Sequence, residues 1–248
     1  MKKKYVLITG SSYGIGYNIA KNLINSNFKL ILSSRNKLRL KRATKSLKSE
    51  NIISKTCNFE KSKSVENFFR YLKKQTQNIN IIICNVGSGK SSLSGKENSL
   101  IWKQTFDKNF FSTTNVIENY LKVYKSRAFK TKIIIIGSIA GNFKGNAPLA
   151  YSLAKNCLIN YASHMANILS KKKITVNVIS PGHVWIKNNN WDKKLKKNPT
   201  KVKKIINENI ALKRFCSVDD INNCINFLIS EKSNYINGIN LEVDGKTK

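Results

Sequence analysis

Thr9-Gly10-Ser11-Ser12-Tyr13-Gly14-Ile15-Gly16 follows the apolar run Tyr5-Val6-Leu7-Ile8 and leads into a segment of helical period, Ile15–Ser26. A strand that turns through three glycines into a helix is a phosphate-binding turn in outline. Glycine supplies the bend, leaves the backbone bare where a pyrophosphate approaches, and lets helix and strand pack closely. An ordinary glycine-rich connection has the same letters, so the turn decides the fold only together with what lies downstream. Its spacing is G-x-x-x-G-x-G.

Downstream, short β-branched runs alternate with longer stretches of helical period. Strands are predicted at Lys4–Thr9, Phe28–Ser33, Ile52–Cys57, Ile79–Asn85, Lys132–Ser138, Ile174–Ser180 and Ile239–Val243. Helices are predicted at Ile15–Ser26, Ser62–Thr76, Ser99–Lys125, Tyr151–Leu169 and Ser217–Ser230, the last opened by the capping box Ser217-x-x-Asp220. Ile133-Ile134-Ile135-Ile136 is apolar without alternation, as befits a strand covered on both faces. The expectation is an α/β fold of Rossmann-like, doubly wound type: a seven-stranded parallel sheet flanked by helices on both faces, in one domain spanning 1–248. Ile186–Thr200, rich in Lys, Asn and Trp, reads as the least ordered stretch, and 186–213 as a mobile substrate lid on the ligand-binding edge.

The chain has 248 residues, 41% of them apolar, and no stretch of about 18 uninterrupted apolar residues that would span a membrane. No targeting segment is expected, because Tyr5–Ile8 is too brief for a secretory core. Lys and Arg total 45 against 13 Asp and Glu, a net charge of +32. Such a surplus can attract a polyanion: nucleic acid, anionic lipid or an acidic carrier protein. It can also be compositional, the preferred reading, since only six of the cations are Arg and the lysines are spread along the chain. Five cysteines at 57, 84, 157, 216 and 224 lack any C-x-x-C pair, and read as reduced packing thiols in a cytoplasmic protein. Two histidines, His164 and His183, are too few for a metal site, and none is expected.

Three further stretches carry chemistry. Ser33-Ser34-Arg35-Asn36 ends the second strand without the carboxylate that would hold a free ribose 2′-hydroxyl. Arg35 can bond a 2′-phosphate instead, which favours NADP(H), with NAD(H) the alternative; a solvated Arg opening the next helix is the bland one. Asn58 closes the third strand, where its amide can reach an adenine edge. Gly87-Ser88-Gly89-Lys90-Ser91 ends like a phosphate-binding P-loop, but Cys84 stands where that motif needs its first glycine, and the P-loop is rejected. Finally, Ser138 is followed by Tyr151 and Lys155, the latter pair one helical turn apart. An ammonium beside a phenol favours the phenolate and lowers its pKa toward neutrality, and a nearby hydroxyl can hold a reacting oxygen. Each member has an ordinary explanation alone: Tyr-x-x-x-Lys is a frequent helical pair, and a Ser at a strand end is often a cap.

Taken together and in order, these residues resemble the short-chain dehydrogenase/reductase family over essentially the whole chain. Thr9–Gly16 is similar to its cofactor turn, Cys84-Asn85-Val86-Gly87 to its Asn-Asn-Ala-Gly element, and Asn109 to its helix-four asparagine. Ser138, Tyr151 and Lys155 match its catalytic serine, tyrosine and lysine. Pro181-Gly182-His183-Val184 resembles the segment beside the nicotinamide, and Leu241-Glu242-Val243-Asp244-Gly245 the C-terminal strand. The resemblance implies hydride transfer between a nicotinamide cofactor and a carbonyl/secondary-alcohol pair. Tyr151 would be the general acid/base, and Lys155 would bond the nicotinamide ribose and depress the Tyr151 pKa. Ser138 would orient the substrate oxygen, and Asn109 would hold a relay water. Gly10, Ser12, Tyr13, Gly14, Ile15, Gly16, Arg35, Asn58, Phe59, Asn85, Val86, Gly87, Tyr151, Lys155, Pro181, Gly182 and Val184 would contact the cofactor. The chain departs from the family pattern at Tyr13, where NADP-preferring members often carry a cation, and at Cys84, Asn58, Ile186 and Lys246.

Lys213–Ile221 followed by Asn237-Gly238 looks like the branch that includes 3-oxoacyl-(acyl-carrier-protein) reductases. The substrate implied is a small carbonyl or alcohol, carrier-bound acyl in one reading, with Lys125-Ser126-Arg127 and Lys171–Lys173 as docking points. Ser88, Lys90, Ser91, Asn142, Asn146 and His183 suit a sugar or polyol derivative in the other, while Trp185 and Trp191 suit either. A homo-oligomer, tetramer or dimer, is expected from the resemblance through the helices that begin near Ser99 and Tyr151. No membrane insertion is expected. A non-catalytic, basic nucleic-acid-binding role on the same fold is the remote alternative.

Overall fold

The computed structural model describes residues 3–124, 130–143 and 146–248. Seven parallel strands form one sheet: β1 (Lys4–Thr9), β2 (Phe28–Ser33), β3 (Ile52–Ser54), β4 (Ile81–Cys84), β5 (Thr131–Ile136), β6 (Ile174–Pro181) and β7 (Asn240–Val243). Their order is β3-β2-β1-β4-β5-β6-β7. The chain therefore winds outward from β1 in one direction and then from β4 in the other, and the connections leaving the C-terminal ends of these two paired strands part to opposite faces, which opens a crevice there. The helices among the described residues are α1 (Gly14–Leu23), α2 (Lys37–Ser46), α3 (Ser62–Gln75), α4 (Ser99–Phe106), α5 (Ser112–Tyr124), α6 (Leu149–Ser170), α7 (Asn190–Lys197), α8 (Pro199–Asn209) and α9 (Val218–Ile229).

Period-two alternation along each strand splits the core into two layers. Leu7, Ile31, Ile82, Ile133 and Ile135 meet Val65, Phe69 and Leu72 of α3, Val116 and Tyr120 of α5 and Leu158 of α6. Val6, Ile8, Leu30, Ile83, Ile134 and Ile136 meet Ile19 and Leu23 of α1, Leu40 of α2 and Ile221 and Ile225 of α9. The unbroken isoleucine run of β5 is thus divided between both faces. The five cysteines are free thiols, and burial pushes those of Cys84 and Cys216 up to about 12, as packing groups require.

Four features differ from the sequence reading. The third strand ends at Ser54 rather than Cys57, although Lys55 and Cys57 still donate to Leu32 and Ser34. Helix α2 has no counterpart among the helices that periodicity predicts: five cations in ten residues mask a stripe of only Leu40 and Ala43, and the start signal is the Asn36 side chain accepting from the Arg39 N–H. The expected helix over Ser99–Lys125 is interrupted by a π-helical turn at Asp107–Phe111. The stretch read as least ordered forms α7 and α8, each capped by an Asn side chain, Asn189 and Asn198, with Pro199 in the first turn of α8. Trp191, Leu195, Val202, Ile206 and Ile210 then make an apolar seam against Phe215.

Candidate functional site

The glycine turn forms as its letters require. Gly10 and Gly14 sit at φ +64° and +67°, in the left-handed region. A Cβ on Gly16 would stand 2.4 Å from Asn85 Nδ2 and 2.7 Å from the Gly10 carbonyl, so helix and strand close only on glycine. Asn85 binds the turn from β4: its Nδ2 donates to the carbonyls of Thr9 and Gly10, at 3.1 and 3.2 Å, and its own N–H to Thr9 Oγ1 at 2.9 Å. Val86 packs against Gly10. Ser11, which the sequence reading passed over, is fully buried and joins the ends of β1 and β2 by accepting from the Ser33 N–H at 2.9 Å.

Tyr13 is the N-cap of α1 but its side chain makes no capping bond, and the first turn carries no acidic residue. The turn's leading N–H groups at Gly14, Ile15 and Gly16 therefore present donors without a side-chain acceptor, and a Cβ on Gly14 would meet nothing within 4 Å. An open, positively polarised helix start of this kind fits a pyrophosphate. The Tyr13 hydroxyl instead reaches across the crevice and donates to the Lys187 carbonyl at 2.7 Å. Beside the turn, Tyr13, Gly14, Tyr17, Trp185, Ile186 and Lys187 help line an open cavity of about 690 Å³.

On the other flank, Arg35 is exposed and its Nη1 lies 2.9 Å from Glu60 Oε1. Asn58 uses its Oδ1 to accept from the Glu60 N–H at 3.1 Å. Phe59, next in the chain, turns its ring away into the core, against Phe68 with centroids 5.6 Å apart, because the hydrophobic layer over α3 claims it. Across the crevice, Pro181 pairs with Val243, and a Cβ on Gly182 would lie 2.9 Å from Asp244 Cα. Val184 bridges to Cys216, which ties the chain before α7 to the segment that leads into α9.

The catalytic candidates converge at the ends of β4 and β5. Ser138 caps a short 3-10 turn, Ile139–Asn142, through its Oγ, and also hydrogen-bonds the Tyr151 hydroxyl. A Cβ on Gly87 would sit 3.1 Å from Asn109 Oδ1 and 3.2 Å from Lys155 Nζ, so this glycine is the meeting point of both side chains. Asn109 is buried in the π-helical turn, accepts from the Ser88 N–H at 2.8 Å, and donates to the carbonyls of Ser88 and Thr105. A π turn at a site residue re-aims a side chain that a regular helix would point elsewhere. Here it clamps the loop after β4.

One expectation is corrected. Lys155 was to lower the Tyr151 pKa, yet burial pushes that phenol above its ordinary value, and the Ser138 bond offsets this only in part. The reason is where the cation points. Lys155 is 3% exposed, its Nζ donates to the Ile136 carbonyl at 2.8 Å, and burial alone brings its own pKa down to about 8. The phenol therefore stays protonated, and the ammonium is buried with the Ile136 carbonyl as its hydrogen-bond partner.

The substrate side is polar, with an aromatic wall. Asn142 donates to Glu242. His183 packs against Trp191 with ring centroids 4.8 Å apart and planes tilted by 54°, its buried Nδ1 has no partner among the described residues, and burial with Lys194 nearby lowers its pKa. Ser91 bonds Thr105. Lys125–Arg127 lie outside the described residues. Among the described residues, no group of three or more His, Cys, Asp or Glu is placed to hold a metal ion, and no helix is long and apolar enough to cross a membrane.

A seven-stranded doubly wound sheet, a glycine turn at its switch point and a Ser-Tyr-Lys set at the adjoining strand ends define a dinucleotide-dependent oxidoreductase fold. A family model described as enoyl-(acyl carrier protein) reductase matches residues 10–245, and the chain belongs to the short-chain dehydrogenase/reductase family, oxidoreductases of CH–OH/C=O groups. It is 30% identical over 239 residues to a 3-oxoacyl-(acyl-carrier-protein) reductase of Rickettsia bellii, covering 96% of this chain and 94% of that one. Another reductase of that description, from Buchnera aphidicola of Acyrthosiphon pisum, is 29% identical, with 99% and 97% covered. Among solved structures, L-sorbose reductase from Gluconobacter frateurii, complexed with NADPH and L-sorbose, superposes with a TM-score of 0.90 at 23% identity, covering 100% of this chain and 97% of that one.

Proposed function

We propose that this chain is an NADP(H)-dependent reductase of a 3-oxoacyl thioester. The observation that carries the reading is the convergence of a Tyr151 phenol hydrogen-bonded to Ser138 with Lys155 and Asn109 meeting at Gly87, in a chain that matches 3-oxoacyl-(acyl-carrier-protein) reductases over nearly its full length. The bound nicotinamide supplies the hydride. Everything else falls to the chain's own side chains. Ser138 Oγ and Tyr151 Oη converge on the position of the carbonyl oxygen, polarise it, and Tyr151 donates the proton as negative charge develops there. Lys155, one helical turn along, turns from the Ile136 carbonyl toward the ribose hydroxyls and supplies positive charge beside the phenolate left behind. Asn109 positions the loop carrying Gly87 and Ser88 and, with Lys155, borders the path by which a relay water returns the proton. The α1 N-terminus with Ser12, Gly14 and Ile15 holds the pyrophosphate, Asn58 the adenine, and Arg35 the 2′-phosphate.

The segment 186–213, carrying α7 and α8, closes over the substrate as a lid, hinged at the Val184–Cys216 bridge. Exposed Leu100 and Phe111, on α4 and the π turn, are the apolar surface through which copies of the chain pair into a dimer or tetramer. A second reading, reduction of a keto-sugar, is favoured by the Asn142–Glu242 pair and the unpartnered His183 Nδ1. The test is NADPH oxidation with acetoacetyl thioesters beside a panel of keto-sugars. Turnover of the thioester at a kcat/KM at least about tenfold above any sugar supports the first reading, and the reverse order replaces it with the second.

A further inference from the structure

We propose that Glu60 is a specificity-determining residue for the cofactor: it restrains the preference for a 2′-phosphate by setting a carboxylate against the same guanidinium that would bind it. The inference rests on the reading of Arg35 as the 2′-phosphate partner. Glu60 is brought to Arg35 by main-chain structure. The ends of β2 and β3 stay adjacent through the Cys57 N–H donating to the Ser34 carbonyl at 3.1 Å. The turn that follows is fixed by Asn58, whose Oδ1 accepts from the Glu60 N–H and whose carbonyl accepts from the Lys61 N–H at 3.2 Å. With its backbone held there, Glu60 is largely covered, at 23% side-chain exposure, while Arg35 is at 63%. The more exposed member of the pair is the Arg.

A guanidinium has five N–H donors in a planar fork, and Glu60 engages Nη1. The other face remains for a phosphate, so both anions can share Arg35. They then lie on opposite edges of one cation, and the carboxylate repels a dianionic phosphate through a partly exposed medium. A neutral ribose 2′-hydroxyl meets no such repulsion. Glu60 thereby narrows the difference in affinity between NADPH and NADH that Arg35 alone would create, and leaves the chain able to use either cofactor.

The test is direct titration of the purified protein with NADPH and with NADH, following tryptophan fluorescence, for the wild type, Glu60→Gln and Arg35→Gln. The Gln amide keeps an acceptor for Arg35 and removes the charge, and since the turn is held by Asn58 and the Arg35 partner is exposed, the thermal midpoint should stay within about 2 °C of wild type. Glu60→Gln is expected to tighten NADPH about three- to tenfold, to move NADH less than about twofold, and to lose this advantage as ionic strength rises. Unchanged or weaker NADPH binding, or an equal gain for both cofactors, overturns the role given to Glu60. Arg35→Gln separates that outcome from failure of the underlying reading: it should weaken NADPH and spare NADH, and equal affinity for NADPH in wild type and Arg35→Gln removes Arg35 itself from the 2′ site.

Discussion

Replacing Lys155 by Met should make the protein inactive and, near neutral pH, more stable. The side chains are both unbranched and of similar length, so the substitution chiefly removes a charge. Burial takes the Lys155 pKa from the ordinary 10.5 to about 8, and at about 1.4 kcal/mol per unit the ammonium costs the folded state on the order of 3 kcal/mol. Against this, the Ile136 carbonyl loses its partner, worth about 1–2 kcal/mol. The balance is a gain of about 1–2 kcal/mol at pH 7, or a melting temperature higher by about 2–8 °C for a chain of this size. The pH dependence has a definite sign. Because the folded-state pKa is lowered, the unfolded chain binds more protons between about pH 8 and 10.5, and wild-type stability from this group rises with pH across that window. Lys155→Met lacks the rise, so its advantage should shrink above pH 8, vanish near about pH 9, and leave the variant less stable by the lost hydrogen bond at about pH 10.5. Thermal unfolding followed by circular dichroism, wild type against variant at each pH, measures the difference. A variant less stable than wild type at pH 7, with a gap independent of pH, would refute the claim that an unneutralised cation is stored at this site.

Other consequences are local. Gly16→Ala places a methyl group against Asn85 Nδ2 and the Gly10 carbonyl; denaturant unfolding should show a loss of about 1–3 kcal/mol, and NADPH titration weaker binding. An unchanged denaturation midpoint would mean that helix α1 is not packed this closely. Asn109→Ala leaves the Ser88 N–H without its acceptor; steady-state kinetics should show kcat/KM down by about tenfold or more, from a loop no longer held over Gly87.

The fold was legible because β-branched runs and the glycine turn are local signals that tertiary structure does not override. Strand existence at Phe28–Ser33, Ile133–Ile136 and Ile174–Ser180 follows from apolar residues that two covered faces demand. What escaped the sequence has a physical reason in each case. Helix α2 and the α7–α8 pair bury narrow stripes among lysines and asparagines, so their caps at Asn36, Asn189 and Asn198 carried more information than their periodicity. The π turn at Asn109 inserts one residue into a continuous helical pattern and leaves no trace in composition. Side-chain direction was the least readable quantity. The i, i+4 spacing of Tyr151 and Lys155 places them on one face, yet the ammonium turns to the Ile136 carbonyl, and the spacing alone could not reveal a phenol whose pKa is raised. Likewise, Arg35 was readable as a cation at the end of β2, but its engagement by Glu60, 25 residues on, depends on β2 and β3 lying side by side.

The account stands on Tyr151 as the proton donor, and Tyr151→Phe tests it with the rest of the crevice intact. Pre-steady-state NADPH oxidation should fall by about 10²–10⁴-fold while NADPH affinity, read by fluorescence titration, stays within about twofold. Turnover within about tenfold of wild type, with cofactor still bound, would contradict it.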